Sequence, residues 1–129
     1  MAKILVIEND VTFLDLLRVH LASVGHEVQT TEDAAAGLRA VIENTPDVII
    51  LDMFVPYLHG MEVLEALRND PATAPIPVIV LTGARDDEMY AKALKLGVAD
   101  YLTKPIQRDS LLQSISKVLA EYPPSAGGG

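Results

Sequence analysis

At 129 residues the chain has the size of one domain with its own hydrophobic core. A formal charge of −8 argues against nonspecific nucleic-acid binding, which needs a basic face, and zero cysteines exclude disulfides and thiolate metal sites. Half of the residues are apolar, only 5% are aromatic, and no apolar run nears the roughly 20 residues that span a bilayer. The expectation is a cytoplasmic protein without membrane contact. Met1-Ala-Lys-Ile4 enters a strand at once, with none of the regions of a signal peptide.

Lys3 to Ile7 is a first apolar run, and it ends in Glu8-Asn9-Asp10. Phe13, Leu14, Leu17, Leu21 and Val24 then recur at helical spacing, with Asn9 or Asp10 as N-cap and Gly25 as stop. Glu27 to Thr31 reads as a more polar strand suited to a sheet edge. Thr31 is the expected cap of a second helix with Ala35, Leu38, Val41 and Ile42 as its apolar positions. Val48 to Leu51 stops at a carboxylate, Asp52, and a loop punctuated by Pro56 and Gly60 follows. That run is too short for a helix and reads as a buried strand, with Asp52 at the end where open parallel sheets keep their ligands.

After Gly60 a third helix shows Met61, Leu64 and Leu67, and Asn69-Asp-Pro71 closes it. Pro71, Pro75 and Pro77 hold the chain extended before a fourth buried strand, Val78 to Leu81, which ends in Thr82. Asp86 opens a helix with Met89, Ala93, Leu94 and Leu96, and Gly97 stops it. Tyr101-Leu-Thr-Lys-Pro105 is the fifth strand. The last helix runs from about Asp109 to Glu121 and buries Leu111, Leu112, Ile115, Val118 and Leu119. Residues 1–122 form the domain, and 123–129 (Pro-Pro-Ser-Ala-Gly-Gly-Gly) a flexible tail or linker remnant.

Five strands alternating with five helices imply βαβ units and a parallel sheet covered on both faces. The two less apolar strands belong at the edges, which selects an α/β, flavodoxin-like (βα)5 doubly wound sheet of order 2-1-3-4-5. Its switch point lies between strands 1 and 3, so Glu8, Asn9 and Asp52 should meet in the ligand crevice. The other strand ends add Thr82 and Lys104 to the same rim. Carboxylate and amide oxygens suit Mg²⁺, and a lysine and a hydroxyl beside them suit phosphoryl transfer onto Asp52 as in-line nucleophile. Singly these residues are bland: an acidic cap, a β-former, a solvated lysine. Together on one rim they are not. His20, His26 and His59 lack ligand spacing and are expected at the surface.

Over residues 2–121 the chain resembles the receiver domain of two-component response regulators. The matching features are Glu8-Asn9-Asp10, Asp52 in Leu-Asp-Met-Phe-Val-Pro, Gly60, Thr82, Tyr101 and Lys104-Pro105, in that order. The resemblance implies that a sensor histidine kinase or phosphotransfer protein phosphorylates Asp52. It implies Mg²⁺ held by Glu8, Asn9, Asp52 and the backbone carbonyl of Phe54, with Thr82 and Lys104 assisting. Thr82 and Tyr101 would then switch inward and remodel the helix 4–strand 5–helix 5 face for a downstream effector or a phosphorylation-dependent homodimer. Tyr90, Lys95, Tyr101 and Gln107 are the expected members of that face. The domain would assist its own phosphorylation and dephosphorylation without being a separate enzyme, would not contact nucleic acid directly, and would carry a cis Lys104–Pro105 peptide.

Asn9 stands where the family normally has an aspartate, which removes one negative charge and predicts weaker Mg²⁺ binding. It also supports the alternative of a phosphorylation-independent interaction module. Phe54 and Ala84 are apolar where polar groups could position an attacking water, so slow self-hydrolysis is expected, and Gly83 leaves the approach open. Phe54 also argues against a phosphatase of the aspartate-nucleophile type, which needs a second acid at that place. A flavin module would need a Ser-, Thr- and Gly-rich loop after the first strand, which this chain lacks.

Overall fold

The apolar runs and helical stripes fold as alternating strands and helices in a computed structural model that describes residues 2–53, 60–83 and 86–123. The strands are β1 (Lys3–Ile7), β2 (Glu27–Thr31), β3 (Val48–Asp52), β4 (Val78–Thr82) and β5 (Asp100–Thr103). The helices are α1 (Val11–Ala22), α2 (Ala34–Glu43), α3 (Gly60–Asn69), α4 (Asp87–Lys95) and α5 (Arg108–Glu121). All strand pairs are parallel and the order is β2-β1-β3-β4-β5, as the sequence predicts.

Strand side chains alternate faces, so each apolar run feeds two cores. Ile4, Val6, Val48, Ile50, Ile79 and Leu81 pack against Leu14, Leu17 and Leu21 of α1 and Leu111, Ile115 and Val118 of α5. Leu5, Ile7, Ile49, Leu51, Val78 and Val80 pack against α2, α3 and α4. Every residue of β3 and β4 is buried, whereas β2 and β5, the two edges, are not.

Aspartates start three helices: Asp10 accepts from Phe13 N–H, Asp33 from Ala36 N–H, and Asp86 from Glu88 and Met89 N–H. Thr31 is therefore not the cap of α2. It is the last residue of β2, and Asp33 takes the cap role. The buried stripe of α2 is also displaced by one residue. Ala34, Gly37, Ala40 and Val41 face the sheet, while Ala35 is exposed and Ile42 is 71% exposed. Gly37 explains the choice, because a Cβ there would lie 2.5 Å from Ile7 Cδ1, so α2 seats its smallest face on β1.

Other expectations shift for similar reasons of packing. Val24 lies beyond the end of α1 and is exposed, with Gly25 at φ 90° making the turn. Ala93 rather than Leu94 is the buried residue of α4. β5 begins at Asp100, whose carboxylate accepts from the buried Ser114 hydroxyl at 2.6 Å, and it ends before Lys104. Leu112 and Leu119 are only half-buried beside the α1/α5 core. His26 is half-buried rather than on the surface, and its Nδ1 accepts from Ala2 N–H at 3.2 Å. The Lys104–Pro105 peptide is cis, as expected. Among the described residues no helix is long and apolar enough to cross a membrane.

Candidate functional site

Strand register gathers the polar strand ends. Ile7 pairs with Leu51, Asp52 with Leu81, and Thr82 with Thr103, so the residues that terminate the apolar runs come out at one rim. Glu8 N–H donates to Thr31 C=O at 3.0 Å, Met53 N–H to Leu81 C=O at 3.0 Å, and Lys104 N–H to Thr82 C=O at 2.8 Å. These bonds hold the chain just beyond the strands. Glu8 and Thr82 are fully buried and Asp52 is 3% exposed.

Lys104 reaches back across the rim from the far edge of the sheet. Its Nζ lies 2.6 Å from Glu8 Oε1 and 3.0 Å from Asp52 Oδ2. The other oxygen of Glu8 accepts from Asp10 N–H at 3.3 Å. The ammonium also lies 4.4 Å from the centroid of the Phe13 ring. Four of the expected site residues, Glu8, Asp52, Thr82 and Lys104, are thus brought to one rim. Asn9 is exposed beside them, and Asp10 is engaged as the cap of α1.

Burial of two acids around one base perturbs their protonation. Burial raises the Glu8 carboxyl to about 7, the hydrogen bond shared with Asp52 adds to the rise, and Lys104 opposes it. Burial alone would lower Lys104, but its hydrogen bonds to Glu8 and Asp52 outweigh this and leave its pKa raised. A carboxyl raised in the folded state binds its proton more tightly there than in the unfolded chain. Its contribution to stability is therefore complete below about pH 4.5 and is lost as pH rises through about 7. Urea denaturation from pH 4.5 to 8 should show a loss on the order of 2 to 3 kcal/mol from this group. Glu8→Gln should flatten that part of the profile, and an unchanged profile in the variant would refute the assignment.

Two neighbouring carboxylates with an amide beside them suit Mg²⁺, which takes few protein carboxylates and keeps several waters. Among the described residues no group of three or more His, Cys, Asp or Glu side chains could hold a metal. Phe54, Ala84 and His59 lie outside the described residues, as do Pro56 and residues 124–129 of the expected tail. Gly83 is exposed, and a Cβ there would meet nothing within 4 Å. Tyr101 is half-buried, with its ring edge-on to Tyr90 at 5.0 Å and 86°.

By sequence alone Phe13 is an ordinary apolar helix position. The available signal was an aromatic in the first turn of the helix that follows the acidic cluster. Arg68 was also missed, since nothing local marks it. Its guanidinium donates to four backbone carbonyls, those of Ala74, Ile76, Leu96 and Gly97.

The family model for the response regulator receiver domain matches residues 4–116. Protein PilH of Pseudomonas aeruginosa is 34% identical over 122 residues, covering 93% of this chain and 99% of that protein. The transcriptional regulatory protein KdpE of Mycobacterium tuberculosis is 39% identical over 112 residues, which cover 87% of this chain. The chain spans 48% of KdpE and 49% of the Synechocystis transcriptional regulator RpaA, about half the length of these relatives. A response regulator receiver domain protein from Clostridium thermocellum is similar in structure, with a TM-score of 0.86 and 36% identity. The match covers 94% of this chain and 96% of that one.

Proposed function

This chain belongs to the response regulator receiver domain family, and on that premise we propose that Asp52 is the phosphoacceptor of a signalling switch. The observation that carries the reading is the surrounding of Asp52: a buried strand-end carboxylate with an ammonium 3.0 Å from Oδ2 and a second buried acid across that ammonium.

The donor is a phosphohistidine on a sensor kinase or phosphotransfer protein. An Asp52 oxygen attacks phosphorus, the P–N bond breaks, and the imidazole of the donor leaves with the electron pair. Lys104, already beside Asp52, balances charge on the phosphoryl oxygens, and Thr82 offers its hydroxyl from the end of β4. Glu8, Asn9 and Asp52 would hold Mg²⁺, with the Phe54 carbonyl as a further ligand. When bound, Mg²⁺ supplies further neutralisation of the same oxygens. Inward movement of Thr82 and Tyr101 carries the signal to the α4–β5–α5 face. There Tyr90, Lys95, Tyr101 and Gln107 meet a downstream effector or a second phosphorylated copy.

Acetyl phosphate with Mg²⁺, read on a phosphate-affinity gel, tests this directly. The wild-type chain should shift and Asp52→Asn should not. Asn9 favours a second reading, a receiver-like module that binds partners irrespective of phosphate, and an unshifted wild-type chain at saturating Mg²⁺ would select it. Restoring the charge with Asn9→Asp should tighten Mg²⁺ binding by about tenfold, and equal affinities would refute the role given to Asn9.

A further inference from the structure

The ammonium of Lys104 is held from three sides. Two are the carboxylates of Glu8 and Asp52 at 2.6 and 3.0 Å, and the third is the face of Phe13, with the ring centroid 4.4 Å from Nζ. Phe13 stands in the first turn of α1, where its backbone N–H donates to Asp10 Oδ1 at 3.2 Å. The cap that starts the helix therefore also helps to place this ring. The ring is half-buried against the α1/α5 core, and the Lys104 side chain keeps 23% exposure.

These three neighbours act differently on a cation. The carboxylates accept specific N–H bonds and fix where the ammonium points. The ring attracts the charge through its quadrupole but offers no lone pair in its plane of approach. It excludes water from that side, and it lets Nζ slide towards a new oxygen without breaking a directional bond. A leucine would fill much of the same space and cover the same core, yet would exert none of that attraction.

We propose that Phe13 is a positioning residue that acts through Lys104: its ring keeps the ammonium over the carboxylate crevice and so sets how fast Asp52 accepts a phosphoryl group. The proposal rests on the reading of Asp52 as phosphoacceptor. Phe13→Leu should lower the rate of labelling by acetyl phosphate about fivefold, the size of a partly desolvated cation–π contact. Phe13→Tyr should restore it. In a Lys104→Met background Phe13→Leu should change nothing further, which a merely structural role of the ring would not produce. The Lys104 side-chain proton resonances, shifted by the ring current in the wild type, should move downfield in Phe13→Leu whether or not Asp52 is phosphorylated. A labelled wild type with an unchanged Phe13→Leu rate, or an equal loss in the Lys104→Met background, would overturn this proposal alone. A wild-type chain that takes no label at Asp52 would overturn the phosphoacceptor reading and this proposal with it.

Discussion

Arg68→Ala should destabilise the fold by about 3 to 5 kcal/mol, a large effect for a residue outside the core. Arg68 leaves the last turn of α3 and donates from Nε to Leu96 C=O at 2.8 Å and from Nη2 to Gly97 C=O at 3.4 Å. Its Nη1 donates to Ala74 C=O at 2.6 Å and to Ile76 C=O at 2.9 Å. The first pair of carbonyls closes α4, where terminal carbonyls lack helical partners and the helix dipole favours a cation. The second pair belongs to the segment that leads into β4. One planar guanidinium thus joins three parts of the chain, and the fork geometry of its donors makes this feasible for no other side chain. The contribution matters most for α4, since Ala93 is its one fully buried residue, with Met89 and the capping Leu96 only partly covered. Removal leaves four acceptors to find water and frees the end of α4. Urea denaturation should show a lower midpoint at unchanged slope, with Arg68→Lys recovering part of the loss through a single-point donor. A loss under about 1 kcal/mol would refute the clamp.

Gly60→Ala should cost a similar amount, about 3 to 5 kcal/mol, although alanine is by itself the better helix former by about 1 kcal/mol. A Cβ at Gly60 would lie 2.4 Å from Met53 Cα and 2.8 Å from both the carbonyl carbon and oxygen of Met53. These are backbone atoms, so no rotamer change relieves the overlap, and either α3 or the end of β3 must move. Gly60 N–H also donates to Met53 C=O at 3.0 Å, which ties the start of α3 to the residue after Asp52. The substitution should therefore disturb Asp52 labelling as well as stability. Gly37→Ala makes a useful contrast. There the overlap is with a side chain rather than backbone, Ile7 Cδ1 at 2.5 Å and Cγ1 at 2.8 Å, so its loss should be smaller. Gly83→Ala, with nothing within 4 Å, should be the mildest of the three. Equal losses at Gly60 and Gly83 would refute this ordering.

The strands, their order and the four polar side chains that meet at one rim are legible in the chain's local pattern. The reason is local: apolar runs of four or five residues, each broken by a polar side chain, report both a buried strand and what stands at its carboxyl end. Glu8, Asp52, Thr82 and Lys104 are legible because strand termination and site placement are the same event in a parallel sheet. Helix N-termini at Asp10 and Asp86 are legible too, since a cap bonds to amides two or three residues away. What is set by contact between distant parts of the chain was not legible. Thr31 was a good local cap candidate, but β2 claims it, and Asp33 caps α2 instead. The stripe of α2 follows the space beside Ile7, so Gly37 turns inward and Ile42 outward, against their apolar ranking. Arg68 and Phe13 owe their partners to tertiary packing alone. The raised Glu8 carboxyl has the same origin, because desolvation and the neighbouring Asp52 act only once the sheet has assembled. Periodicity along the chain encodes which residues face inward, whereas the electrostatics of the site depend on side chains that only the closed fold brings within bonding distance.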